Sequence, residues 1–161
     1  MVKRVSDPKL GGVFIALGSN LGDRAAHISG ALRDLGATAG IRVLRCSSVH
    51  ETEPVGGPPG QGKFLNAVAE LATTLAPEAL LNRLQVIELG HGRARGVRNG
   101  PRTLDLDLLL YGDVRRFDAR LTLPHPRMWE REFVLAPLAE LCDVGRLRAR
   151  FGGDSRAALS R

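Results

Sequence analysis

An α+β sandwich, in the ferredoxin-like arrangement of an antiparallel sheet with helices on one face, is the fold class this sequence predicts. Three observations carry it. Apolar and polar residues alternate along 64–73 (FLNAVAELAT) and 102–112 (RTLDLDLLLYG), the period of a half-buried strand. Apolar residues recur at helical spacing along 24–35 and 77–89. The elements follow one another as strand, helix, strand, strand, helix, strand. With 161 residues, one domain over 1–161 holds a core spanning about 13–141 without disulfide or metal staples.

Each element has its own signal. VFIAL (13–17) reads as a buried strand, and the Gly and Asn of GSNLGDR supply a tight turn after it. Ile28, Ala31, Leu32 and Leu35 share one face of the helix 24–35, which Gly36 closes. Residues 41–50 are β-like and reach polar Ser47 and Ser48. EPVGGPPGQGK (53–63) is a Pro/Gly loop whose length fits a binding role better than a mere connection. In 64–73, Leu65, Ala67, Ala69 and Leu71 form the core face, and Phe64, Asn66, Val68 and Glu70 the other. Pro77 suits the first turn of a helix running to about Leu89, striped by Leu80, Leu84 and Ile87, with Leu81, Gln85 and Glu88 beside them. Gly90 and Gly92 release the chain into a segment holding Arg93, Arg95, Arg98 and Arg102. The strand RTLDLDLLLYG places Leu104, Leu106, Leu108 and Leu110 on one face and Asp105 and Asp107 on the other. A turn at 111–113 follows, then a short β-like segment around Leu121, and PHPRMWEREF leads into a last helix near 134–141. The segment 145–161 is an arginine-rich tail poor in core formers. One sheet face is left for a site.

The formal net charge of +6 favours an anionic partner: nucleic acid, nucleotide phosphates or an anionic membrane. The first apolar stretch is too short to span a bilayer, and the basic start before it lacks a signal-peptide pattern, so the expected location is cytoplasmic. Cys46 and Cys142 form no C-x-x-C pair and have no His at metal-ligand spacing, which leaves two free thiols.

Asp105 and Asp107 are the sharpest chemical feature. Residues two apart on a strand project the same way with Cα atoms about 6.5–7 Å apart, so their oxygens converge on one or two hard cations. Carboxylates that leave room for water suit Mg²⁺, which bridges protein and substrate phosphates. The nearby arginines present forks that match phosphate oxygens. Metal on one side and guanidinium on the other is the division of labour of phosphoryl transfer. GPPGQGK (57–63) has the spacing of a phosphate-binding P-loop, but Phe64 stands where its Ser/Thr belongs, Pro58 and Pro59 remove N–H groups, and a strand follows instead of a helix. His125, stiffened between Pro124 and Pro126, is placed to meet a phosphate. Phe64 offers a ring to a planar heterocycle, while Asn66 on the same strand face reads its edge.

The runs ALGSNLGDR (16–24), FLNAV (64–68), GRAR (92–95), GPRTLDLDLLLYG (100–112) and LTLPHPRM (121–128), in this order and spacing, make the chain resemble the 6-hydroxymethyl-7,8-dihydropterin pyrophosphokinases of folate biosynthesis over about 13–141. The resemblance implies a monomeric ferredoxin-like enzyme. Such an enzyme transfers the pyrophosphoryl group of ATP, with two Mg²⁺, to the pterin's hydroxymethyl oxygen, and takes small molecules as its only partners, with neither nucleic acid nor membrane. It implies that Asp105 and Asp107 hold both metals, that Phe64 and Phe133 sandwich the pterin, and that Asn66, with groups near Thr52 and Val55, reads the pterin edge. It also implies that Gln85, Glu88, Arg93, Arg102, Arg120, Thr122, His125 and Arg131 contact ATP, with Arg93 and Arg102 as the phosphate clamps. Asn99 stands where some relatives have Trp, which removes an aromatic lid from the expectation.

Two other readings stand against this one. A ferredoxin-like RNA-binding module fits the basic charge, but it calls for exposed sheet aromatics that this chain, with one Tyr and one Trp, does not supply. A metal-dependent phosphohydrolase shares the Mg²⁺ site and takes water as acceptor.

Overall fold

The computed structural model describes residues 12–92 and 102–160. Arg93, Arg95, Arg98 and Asn99 lie outside the described residues.

Strands β1 (Val13–Ser19), β2 (Ile41–Cys46), β3 (His50–Thr52), β4 (Phe64–Thr73) and β5 (Asp105–Tyr111) form one antiparallel sheet in the order β2-β4-β1-β5, with β3 paired to the first residues of β4. β1 lies between β4 and β5, pairing Ser19 with Leu65 on one side and Gly18 with Asp105 on the other. Helices α1 (Arg24–Gly36) and α2 (Pro77–Gly90) cover one face. α1 starts where Asp23 accepts the Ala26 N–H at 3.1 Å, and Pro77 opens α2. Beneath the two helices Val13, Ile15 and Leu17 of β1 and Leu106 and Leu108 of β5 pack against Ile28, Leu35, Leu80 and Leu84. Burying each such side chain contributes about 1.5–3 kcal/mol, so this layer holds the sheet.

The other face is only partly open. Phe14, Val68 and Leu110 point there and pack with Met128, Val134, Leu138, Leu147 and Phe151, the last four coming from α3 (Glu132–Ala139) and α4 (Val144–Ser160). The tail from 145 therefore begins as helix instead of remaining outside the core. Leu147 and Phe151, four residues apart on one helical face, supply the anchoring that its arginine content hides.

Two local departures from simple alternation matter. Residues 41–50 split into β2 and β3 because buried Ser47 bonds Val68 twice, its backbone N–H donating to the carbonyl at 2.8 Å and its hydroxyl accepting the N–H at 3.0 Å. In β5, Phe14 pairs with Leu110 and Ile15 with Leu108, so Leu109 is a bulge residue whose carbonyl accepts the His125 N–H at 2.8 Å. The bulge reverses the alternation: Leu104, Leu106 and Leu108 stay under the helices, while Leu110 turns to the second core. A small hairpin, β6 (Arg116–Phe117) with β7 (Thr122–Leu123), follows and is tied to α2 through Arg116 and Glu78 at 2.7 Å.

Candidate active site

A cleft of about 620 Å³ opens on the sheet face away from α1 and α2, at the end where β1 finishes and β4 and β5 begin. Thr52, Val55, Phe64, Asn66, Arg102, Asp105, Asp107, Arg131 and Phe133, all expected at the site, line it together. The alternation that buries Leu65 and Leu106 beneath the helices turns Phe64, Asn66, Asp105 and Asp107 into the cleft. Gly18 makes this possible on the central strand. A Cβ there would stand 3.1 Å from the Asn66 Oδ1 and 3.7 Å from the Phe64 ring, crowding amide and ring alike. Asn66 is oriented from the other side, its amide donating to the Thr52 hydroxyl at 2.6 Å.

Asp107 is electrostatically strained. Burial, followed by the charge of Asp105, pushes the Asp107 carboxyl up to about 7; Glu88 adds to the rise, and Arg131 and Arg102 oppose it. Arg102 Nη1 lies 3.3 Å from Asp105 Oδ2. The guanidinium groups of Arg102 and Arg131 therefore offset only part of the charge at Asp107. The donor set, two hard carboxylates on one rigid strand, fits Mg²⁺. Among the described residues no three His, Cys, Asp or Glu side chains converge as a cage, which suits an ion that completes its shell with water and substrate phosphate. Arg102, Arg127 and Arg131 make the opposite, cationic lining, and the Arg131 guanidinium sits 5.5 Å from the centre of the Phe133 ring. Arg93, expected to share the phosphate clamp, lies outside the described residues.

Gln85, Glu88, Arg120, Thr122 and His125 are not among the cleft-lining residues. Glu88 has a structural bond instead: its Oε2 accepts the Leu106 N–H at 2.7 Å, between the two aspartates. Arg120 donates to Asn82, the Thr122 hydroxyl donates to the Asp118 carbonyl at 3.4 Å, and Gln85 is exposed on α2. His125 senses the site through its charge. Burial and then Arg131 push its imidazole down to about 4, against the pull of Asp105. Its Nδ1 accepts the Arg127 N–H at 3.2 Å, so the neutral ring carries its proton on Nε2.

Sequence reasoning missed Asn20. Its backbone N–H donates to the Arg102 carbonyl at 3.0 Å and its Oδ1 accepts the Arg102 N–H at 2.8 Å, while its amide donates to Gln61 Oε1 at 3.0 Å and to the Gly62 carbonyl at 3.1 Å. One buried amide thus joins the loop after β1, the Pro/Gly loop and the chain entering β5. A Gly-flanked Asn reads as a turn former, and its three partner residues, 41 to 82 residues away, leave no local trace. His50 was also passed over. It lines the cleft and is held 2.7 Å from Glu140, a carboxylate brought down to about 2 by bonds from the Ser48 N–H, the Ser48 hydroxyl and His50.

The family described as 7,8-dihydro-6-hydroxymethylpterin-pyrophosphokinase matches residues 14–143. The 2-amino-4-hydroxy-6-hydroxymethyldihydropteridine pyrophosphokinase of Bacillus subtilis (strain 168) is 50% identical over 129 residues, 80% of this chain and 77% of that protein. The protein of the same name in Pseudomonas aeruginosa is 46% identical over 135 residues, 84% of this chain and 83% of its own. A mitochondrial folate synthesis bifunctional protein of Arabidopsis thaliana is 50% identical over 129 residues, and there the match spans only 23% of the relative.

Proposed function

The chain belongs to the 7,8-dihydro-6-hydroxymethylpterin-pyrophosphokinase family, and from that membership we propose how its cleft carries the reaction. The activity is transfer of the pyrophosphoryl group of ATP to the hydroxymethyl oxygen of 6-hydroxymethyl-7,8-dihydropterin, giving AMP and the pterin diphosphate, a step of folate biosynthesis.

In the proposed arrangement Asp105 and Asp107 hold two Mg²⁺. When bound, the ions neutralise the ATP phosphates and make the acceptor hydroxyl more acidic. Phe64 and Phe133 stack on the pterin, and Asn66, braced by Thr52, reads its edge with backbone groups near Thr52 and Val55. Arg93, Arg102 and Arg131 clamp the phosphates, where a guanidinium fork stabilises charge as it shifts toward the leaving group. His125, neutral in this setting, donates from Nε2. Gln85, Arg120 and Thr122 serve the nucleotide side, and Glu88 acts there through its hold on Leu106. No covalent enzyme intermediate is needed, because positioning and electrostatics suffice for a phosphoryl acceptor already bound in place. The same reading makes the chain a cytoplasmic monomer with small molecules as partners and neither nucleic acid nor membrane; no described helix is long and apolar enough to cross a bilayer.

The observation that carries this reading is the Asp105–Asp107 pair facing arginines in a cleft that also holds Phe64, Asn66 and Phe133. The test is product analysis. ATP, Mg²⁺ and the pterin together are expected to give AMP, and Asp107→Ala is expected to lower that rate by at least about 100-fold. AMP or ADP release without pterin would point to the phosphohydrolase reading, and near-normal turnover of Asp107→Ala would remove the metal role.

A further inference from the structure

His27, Asp34 and His91 form a hydrogen-bonded chain where α2 ends against α1. The Nδ1 atoms of His27 and His91 are 3.1 Å apart, with the rings edge-on at 72°, and His91 Nε2 lies 3.0 Å from Asp34 Oδ2. The fit is tight: a Cβ on Gly30 would stand 2.7 Å from His91 Cε1, so the imidazole rests on the bare backbone of α1. The backbone N–H of His91 meanwhile caps α2 through the carbonyls of Ile87 and Glu88.

The proton count follows from these contacts. The Asp34 carboxylate takes a proton-bearing His91 Nε2, so a neutral His91 has a bare Nδ1. The short Nδ1···Nδ1 contact then requires the hydrogen to come from His27. A hydrogen on both Nδ1 atoms would instead set two N–H groups against each other. The surrounding charged groups are Asp34 and Arg33 of α1, Asp23 at its start, and Glu88 on the last turn of α2; the Arg33 guanidinium is 3.6 Å from the same Gly30 Cβ position.

We propose that His27 and His91 share a single proton in a clasp that positions the last turn of α2 for catalysis. Glu88, on that turn, holds the Leu106 N–H between Asp105 and Asp107, so the clasp acts on the metal-binding pair without touching it. His27 and His91 are positioning residues. The inference rests on the pyrophosphokinase reading for its kinetic consequence, and not for its proton arrangement.

Two measurements on the full chain test it. Long-range ¹H–¹⁵N imidazole spectra near neutral pH are expected to show His27 as the Nδ1–H tautomer and His91 as the Nε2–H tautomer; two Nε2–H rings would overturn the shared proton, whatever the enzyme's substrate. With saturating Mg²⁺, ATP and pterin near neutral pH, His27→Phe, which removes the donor from the contact, is expected to lower kcat about tenfold with KM nearly unchanged. Gly30→Ala, which wedges the ring without altering any titratable group, is expected to lower kcat in the same way. Turnover of both variants equal to the wild type, or a loss of melting temperature alone, would refute the positioning role while leaving the assigned reaction untouched.

Discussion

Asp107 works against the fold it belongs to. Unfolded, its carboxyl titrates near the ordinary aspartate value of 3.8; folded, it holds its proton to about 7. The native state therefore binds the extra proton between those values, and the metal-free protein loses stability as pH rises through that window. Above it the penalty is complete. Asp107→Asn is accordingly expected to melt higher than the wild type at pH 8 in EDTA, to lose that advantage near pH 4, and to be inactive at both. Differential scanning calorimetry across pH checks the sign, and Mg²⁺ is expected to narrow the gap by stabilising only the wild type. The pair was legible in the sequence because a period of two needs no knowledge of neighbours. The raised proton affinity was not, since its largest cause is burial, to which the charge of Asp105 and then Glu88, reaching the strand from α2, add against the opposing pull of Arg131.

At the scale of elements, the strands that carry the cleft side chains and the two helices behind them follow their apolar periods closely. What escaped is where one element grips another. Glu88 sits on the face of α2 beside its apolar stripe, and its spacing identifies it only as a polar neighbour of the core, fit equally for ligand or for backbone. The fold uses it for backbone, at Leu106. Glu88→Ala leaves that N–H without its acceptor, and removal of a buried partner costs about 1–3 kcal/mol. The expected result is a lower unfolding midpoint in urea together with weaker Mg²⁺-dependent nucleotide binding by calorimetry, whereas Gln85→Ala on the exposed side of the same helix leaves the urea midpoint unchanged. The Leu109 bulge is likewise silent in the sequence. A run of three leucines gives no sign of which one is the extra residue, and the choice is made by the His125 N–H from a loop beyond the strand.

For the molecule as a whole, the antiparallel sheet with a helical layer was readable, but the second core was not. Phe14 and Val68 face away from α1 and α2, and their partners Leu147 and Phe151 stand among arginines that read as solvated. Phe151 is 1% exposed, with guanidinium groups of Arg115 and Arg150 at 4.8 and 5.7 Å from its ring. Phe151→Ala is expected to cost about 3–5 kcal/mol, read as a fall in the denaturation midpoint, with little change in KM for the pterin because Phe151 does not line the cleft.

The Asn20 bridge bears on how the chain acquires its working form. Its partners come from points 41 to 82 residues away, on the stretches of chain that lead into β4 and β5. Contacts so distant along the chain are entropically slow to close. The pairings of β1 with β4 and β5 bridge comparable stretches of chain, so the mouth of the cleft and the sheet behind it are expected to form as one cooperative unit.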